Sequence, residues 1–230
     1  MRLDKLLADC GYGTRSEVKK MIRGGWVEIN GVTARSGDQK VDEKSDTVTV
    51  DGNEVLYQKY VYYMLNKPQG YISATEGHDP VVLDLIAEPY KDLFPCGRLD
   101  KDTTGLLLIT NDGPLAHRLL SPKHHVEKEY IVSHERPLSD ADIRKMAEGI
   151  TWQSESYRPA VCRKIDEHTC SLTISEGKFH EIKKIFEALG NKVTALSRIR
   201  MKNLVLDGSL APGEYRPLTD EELQDLRQDS

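Results

Sequence analysis

Residues 97–113, GRLDKDTTGLLLITNDG, set two cations and two carboxylates ahead of an apolar run. Leu106 to Ile109 reads as a buried strand, and Asn111-Asp112-Gly113 reads as the turn that closes it. Arg98-Leu99-Asp100 therefore stands beside the core rather than on a solvated helix. In an extended chain Arg98 and Asp100 point to one side and Leu99 to the other. An isolated buried carboxylate is costly, so Asp100 requires a partner. Spacing leaves two uses open: a structural Arg–Asp contact at a strand end, or a catalytic carboxylate oriented by a nearby cation. Asp102 is a second acid. Its i, i+2 spacing does not set two carboxylates across a sugar, as glycoside hydrolysis demands.

The elements that must hold these groups follow from pattern and turn chemistry. Strands are expected at Val61 to Leu65, Leu106 to Thr110, Lys128 to Val132, Ala160 to Ile165, Ser171 to Ser175, Val193 to Arg198 and Leu204 to Asp207. Helices are expected after Asp79-Pro80, after Gly113-Pro114, after Ser139 with Asp142 three residues on, over Phe179 to Leu189 before Gly190, and after Thr219 with Glu222. Hairpin-length connections such as that between 160–165 and 171–175 call for a largely antiparallel sheet, and the class is α+β. Neither G-x-G-x-x-G nor G-x-x-x-x-G-K-[ST] occurs, which disfavours a nucleotide-cofactor domain.

Ahead of this region lies a smaller unit. Leu3, Leu6 and Leu7 recur at helical spacing up to Gly11-Tyr12-Gly13. Thr14 with Glu17 forms a capping-box pattern for a second helix, whose apolar face is Val18, Met21 and Ile22. Arg15, Lys19 and Arg23 repeat at i, i+4, i+8 as a basic stripe, with Lys20 beside them and Arg2 and Lys5 on the first helix. Trp26 to Ile29 alternates as a strand into the turn Asn30-Gly31, and Thr47 to Val50 turns through Asp51-Gly52 into Glu54 to Leu56. Tyr57 to Tyr60 reads as the linker, giving domains at 1–57 and 61–230.

Thirty-eight per cent hydrophobic and 30% charged residues in 230 suit a soluble globular chain with room for one small and one medium domain. No apolar run approaches the roughly 18 residues of a membrane span, and the N-terminus lacks a signal-peptide core. Cys10, Cys96, Cys162 and Cys170 show no C-x-x-C spacing and no histidine cluster for zinc, so reduced thiols in the cytoplasm are expected. Packing, rather than nucleophilic chemistry, is the expected role of Cys96. The net charge of −5 argues mildly against nucleic acid, but it is unevenly spread. Residues 1–40 hold eight Lys/Arg against five acids, whereas Leu218 to Ser230 hold five acids against one arginine. A locally basic N-terminus is compatible with RNA binding.

GRLDKDTTGLLLITNDG resembles the catalytic motif of the RsuA family of pseudouridine synthases. The segments MLNKPQGY (64–71), SPKHHVEKEYIV (121–132), LTISEGKFHEIKKIFEALGNKV (172–193) and LAPGEYRPLT (210–219) resemble other blocks of that family, in the same order. RLDKLLA, TRSEVKKMI and VEINGVTA resemble the S4 RNA-binding module over about 50 residues. The resemblance implies an N-terminal S4 domain before a mixed, largely antiparallel synthase domain, and an isomerase needing neither metal nor cofactor. It implies Asp100 as the catalytic carboxylate, Tyr130 as the aromatic platform for the base, Lys183 as the cation paired with Asp100, and Arg98 as a phosphate or base-displacement contact. Arg2, Lys5, Arg15, Lys19, Lys20 and Arg23 become the RNA-binding set. His180 is expected to orient backbone or RNA rather than act as a base.

Two departures from the family stand out: Glu181 where glutamine is frequent, and Met201-Lys202-Asn203 where a glycine pair is frequent. Without the resemblance, Tyr130 is an ordinary strand tyrosine, and the lysines of both helices are ordinary solvated faces. Within the family the expected substrate is one uridine of 16S ribosomal RNA, free or in small-subunit assembly intermediates, modified by a monomer. The alternatives are a large-subunit ribosomal RNA synthase and a non-catalytic S4-type assembly factor. A factor without activity would be expected to have lost Asp100, Tyr130 or Lys183.

Overall fold

The computed structural model describes residues 1–228 apart from Lys44, Pro89 and Lys91; Asp229 of the acidic tail lies outside the described residues. The chain divides into two compact units, Met1–Val61 with Ala87–Leu93, and Tyr62–Ile86 with Phe94–Ser230.

In the first unit, α1 (Leu3–Asp9) and α2 (Arg15–Arg23) precede a four-stranded sheet of β1 (Val27–Ile29), β2 (Val32–Thr33), β3 (Val48–Val50) and β4 (Asn53–Glu54), in the order β2-β1-β3-β4. Thr14 and Glu17 form a complete capping box at the start of α2. Both hairpin turns carry two residues at positive φ, Asn30 (53°) with Gly31 (77°) and Asp51 (51°) with Gly52 (77°), the geometry whose twist matches paired strands. Leu3, Leu6, Leu7, Val18, Ile22, Val27 and Val48 form the core; each fully buried leucine contributes about 1.5–3 kcal/mol. Trp26, expected in a strand, lies outside β1 and is exposed.

The second unit is built on β5 (Tyr62–Lys67), β6 (Phe94–Cys96), β7 (Thr104–Thr110), α3 (Gly113–Leu120), β8 (Lys128–His134), α4 (Asp140–Glu148), β9 (Ile150–Trp152), β10 (Glu155–Tyr157), β11 (Val161–Lys164), β12 (Thr169–Ile174), α5 (Glu181–Ala188), β13 (Val193–Met201), β14 (Leu204–Val205), β15 (Tyr215–Pro217) and α6 (Asp220–Arg227). Its main sheet runs β11-β12-β8-β13-β7-β5-β15, with β6 beside β7 and β14 beside β13. All of its pairings are antiparallel except β7 with β13.

That parallel join depends on Gly105. With φ at +97° it lies so close to β13 that a Cβ there would come within 2.2 Å of the Arg198 carbonyl oxygen. Asp112 caps α3 through its side chain, and capping boxes at Ser139/Asp142 and Thr219/Glu222 start α4 and α6.

Several expectations need correction. The segment after Asp79-Pro80 forms only one 3-10 turn, Val82–Leu85, and Asp79 pairs with Lys101 rather than capping a helix. The helix expected from Phe179 starts at Glu181, because His180 is left-handed at φ 54°. The strands β6, β9, β10 and β15 were not legible: each is three residues long, too short to show a period. At the family departure near residue 202, Lys202 adopts φ 53° in the β13–β14 turn, the conformation a glycine takes without strain.

Candidate active site

Asp100 sits in a tight turn before β7, where its carbonyl accepts from Thr103 N at 3.1 Å. The segment that follows β5 holds this turn. Ser73 Oγ accepts from Leu99 N and donates to Leu99 O at 3.0 and 2.9 Å, and Gly70 N donates to Lys101 O at 2.9 Å. Lys67, the last residue of β5, is fully buried. Its Nζ donates to the carbonyls of Pro68, Asp100 and Thr103 at 3.1, 3.1 and 2.8 Å. Burial pushes its pKa down to about 8 while the charges of Asp102 and Asp100 oppose the shift.

The Arg98–Leu99–Asp100 segment is not a strand, yet it alternates: Leu99 is buried between an exposed Arg98 and a part-exposed Asp100. Arg98 does not pair with Asp100, which corrects the structural-contact reading. The cation on Asp100 comes from α5, 83 positions along the chain, with Lys183 Nζ 3.0 Å from Asp100 Oδ2. The same ammonium donates to both oxygens of Asp102 at 2.9 and 3.0 Å. Burial works against the charge on Lys183, but its hydrogen bonds to Asp102 and Asp100 prevail and raise its pKa. In return Lys183 holds the Asp102 carboxyl below its ordinary range. His180 approaches from the other side, with Nε2 3.5 Å from Asp100 Oδ1.

An open cleft adjoins these groups, lined by Arg98, Asp100, Thr103, Tyr130, His180 and Lys183 and by the apolar side chains of Leu99, Ile174, Ile182 and Leu196. Tyr130 reaches it because β8 alternates: Lys128, Tyr130, Val132 and His134 are buried, while Glu129 on the opposite face meets Arg200 and Ser171. Burial raises the Tyr130 phenol pKa, and Arg198 opposes that shift. Arg198 stands in register with Tyr130 across β13 and β8, its Nε bonded to Leu106 O at 2.7 Å and its Nη2 buried without a partner. Glu181 turns its buried carboxylate to Gly177 N and Lys178 N at 2.6 and 2.8 Å, anchoring the loop before α5. The α5 turn sends Lys184 to Glu155, 2.8 Å away. A cation-held carboxylate beside an apolar, aromatic floor can take up a flat, polar-edged molecule and act on it as nucleophile or base.

The comparisons with known proteins fit this layout. The RNA pseudouridylate synthase family matches residues 61–188, and the S4 domain family matches residues 1–48. The chain belongs to the RNA pseudouridylate synthase family. An uncharacterised RNA pseudouridine synthase of Bacillus subtilis is 46% identical over 99% of both chains. The Escherichia coli protein named ribosomal small subunit pseudouridine synthase A is 44% identical over 97% of this chain and 98% of its own. A crystal structure of a pseudouridylate synthase superposes with a TM-score of 0.71 at 40% identity, covering 98% of this chain and 99% of that one.

The resemblance to RsuA pseudouridine synthases thus extends over nearly the whole synthase. Its second unit brings together Arg98, Asp100, Tyr130 and Lys183. In the S4 unit Lys5, Arg15, Lys19, Lys20 and Arg23 are exposed, but Arg2 is engaged: its Nε and Nη2 donate to the buried carboxylate of Asp4 at 3.0 and 2.9 Å. Lys19 Nζ lies 3.9 Å from the same carboxylate. Sequence reasoning missed Lys67, Asp102 as a partner of Lys183, and Arg198. Lys67 had one signal, a lysine two residues past the apolar run Val61 to Leu65 and within the same strand.

Proposed function

We propose that this synthase converts one uridine of small-subunit, 16S-type ribosomal RNA to pseudouridine, with Asp100 as the catalytic carboxylate. The observation that carries the reading is the Asp100–Lys183 pair at 3.0 Å on the wall of a cleft that Tyr130 also lines. The reaction breaks the N1–C1′ bond and joins C5 to C1′, with a proton lost from C5 and one gained at N1, so atoms and electrons balance within one nucleotide. Asp100 serves by adding to C1′ or by taking a proton. Lys183 orients it through the 3.0 Å hydrogen bond from its Nζ to Oδ2. Tyr130 holds the detached base by its ring, and Arg98, exposed at the cleft, contacts the backbone distorted when the uridine leaves the stack. Lys5, Arg15, Lys19, Lys20 and Arg23, with the outer edge of Arg2, supply phosphate contacts from the S4 unit.

The choice of the small subunit rests on full-length similarity to relatives of that name, including the Yersinia pestis protein at 46% identity. The reading is of a monomer working on ribosomal RNA or small-subunit assembly intermediates in the cytoplasm. Incubation of the pure protein with 16S RNA, 23S RNA and small-subunit assembly intermediates, followed by pseudouridine mapping, tests it. One new site in 16S RNA is expected. Modification confined to 23S RNA would overturn the substrate, and no modification in any of the three would overturn the reading.

A further inference from the structure

We infer that Phe179, stacked on His180 at the rim of the cleft, is a platform for an unpaired nucleobase of the substrate strand next to the target uridine. The inference rests on the reading above, that the cleft receives a uridine from RNA. Phe179 is one of three phenylalanines in the chain and is 71% exposed, whereas Phe186 on the following helix is fully buried. A single exposed apolar side chain is ordinary in itself. What sets this one apart is how firmly the surrounding loop is held and where it lies.

The loop is held on both sides of the ring. Glu181 fixes Gly177 N and Lys178 N, and Lys178 Nζ donates to Ser156 O at 2.6 Å. His180 stands at φ 54° and ψ 27°, left-handed as His125 also is, and it heads α5 without a side-chain cap. That conformation accompanies two contacts. The imidazole stacks on Phe179 with centroids 3.7 Å apart and planes 22° from parallel, and its Nε2 lies 3.5 Å from Asp100 Oδ1. One imidazole therefore separates the exposed ring from the proposed catalytic carboxylate.

The groups around the ring are polar and charged. Lys184 Nζ lies 5.8 Å from the ring centroid and Arg98 lines the adjoining cleft, while Lys184, Lys178 and Lys183 are each shared with carboxylates, Glu155, Glu176 and the Asp100–Asp102 pair. A lone exposed ring among polar, ion-paired neighbours fits the stacking of a single base better than the extended apolar face of a protein partner. Extruding a uridine also breaks stacking for its neighbours, and an aromatic surface beside the cleft restores it for one of them.

The test uses full-length protein and RNA fragments carrying the mapped target uridine, intact or with an abasic nucleotide on its 5′ or its 3′ side. Phe179→Ala and Phe179→Leu are expected to weaken RNA binding about tenfold to a hundredfold, with the single-turnover rate at saturating RNA changed less than about threefold and its pH profile unmoved. Phe179→Trp is expected to restore affinity. One of the two abasic substitutions is expected to weaken the wild type by a similar factor and to add nothing in Phe179→Ala. Wild-type affinity in Phe179→Leu would overturn the inference, as would abasic losses that persist in full in Phe179→Ala on both sides, or a loss that tryptophan fails to restore. Failure of the wild type to form pseudouridine in any RNA would overturn the functional reading instead, so the two failures are separable. The exposure of Phe179 keeps these substitutions out of the core.

Discussion

Lys67 Nζ lies 3.1 Å from the main-chain carbonyl oxygen of Asp100, so the backbone of the proposed catalytic residue is held from beneath by an ammonium that is itself fully buried. The same ammonium bonds the carbonyls of Pro68 and Thr103, and so joins the end of β5 to both ends of the Asp100 turn. Lys67→Met fills similar space but leaves those carbonyls without their donor. It is expected to cost on the order of 2–4 kcal/mol in urea unfolding, and to lower the rate in the protein that remains folded. The pH dependence has a definite sign. The folded-state pKa is depressed to about 8, while the unfolded chain keeps its proton to about 10.4. The unfolded state thus binds more protons between these values, and this group adds stability as pH rises through that window and loses it as pH falls through about 8. Lys67→Met should lack that rise; an identical slope in both proteins would refute the assignment.

Asp100→Asn preserves shape and removes the carboxylate. Pseudouridine formation is expected to fall on the order of 10⁴-fold or more, while RNA affinity stays near wild type because phosphate contacts dominate it. Single-turnover assays with a parallel binding titration check both halves. Appreciable activity in the purified variant would remove Asp100 from its proposed role.

Lys183→Met should uncouple two carboxylates at once. Asp102 is held low chiefly by the hydrogen bond from Lys183, so its titration, followed by carboxyl NMR, is expected to move up toward the ordinary aspartate range. Activity is expected to fall about a hundredfold or more, as for loss of an oriented charge beside a reacting group. An Asp102 titration that stays put would show that Lys183 is not its controlling partner.

Gly105→Ala is expected to be among the most damaging single-methyl changes in the chain. The added Cβ meets backbone at 2.2 Å in the parallel β7–β13 join and is also strained by φ +97°. A loss of more than about 4 kcal/mol, or failure to fold, is expected in denaturant unfolding. A near-neutral variant would contradict the close approach of the two strands.

Glutamine at Arg15, Lys19 and Arg23 should weaken RNA binding at low salt and reduce the slope of log K against log salt by about 2. Each of these side chains is exposed on α2. An unchanged slope would make the stripe a solvated surface only.

The local features were legible in the sequence because their causes are local. Thr14 with Glu17, Ser139 with Asp142 and Thr219 with Glu222 start helices by bonds within three residues, and Asn30-Gly31 and Asp51-Gly52 turn hairpins by their own backbone preferences. The apolar run at 106–109 announced the central strand, and the ordered blocks announced the family. Residue spacing did not say which cation meets Asp100; the family blocks named Lys183, and the fold supplies the reason. By spacing alone Arg98, two residues away, was the near candidate; Lys183, the cation the resemblance implied, takes the place because β13 runs parallel to β7 and returns α5 to the Asp100 turn. Lys67 belongs to the same class: a lysine at a strand end reads as solvated until three carbonyls from 68, 100 and 103 close over it. Periodicity tells which face a side chain takes, but a pair made across 83 residues is set by sheet order and the close approach at Gly105, and no spacing in the chain encodes it.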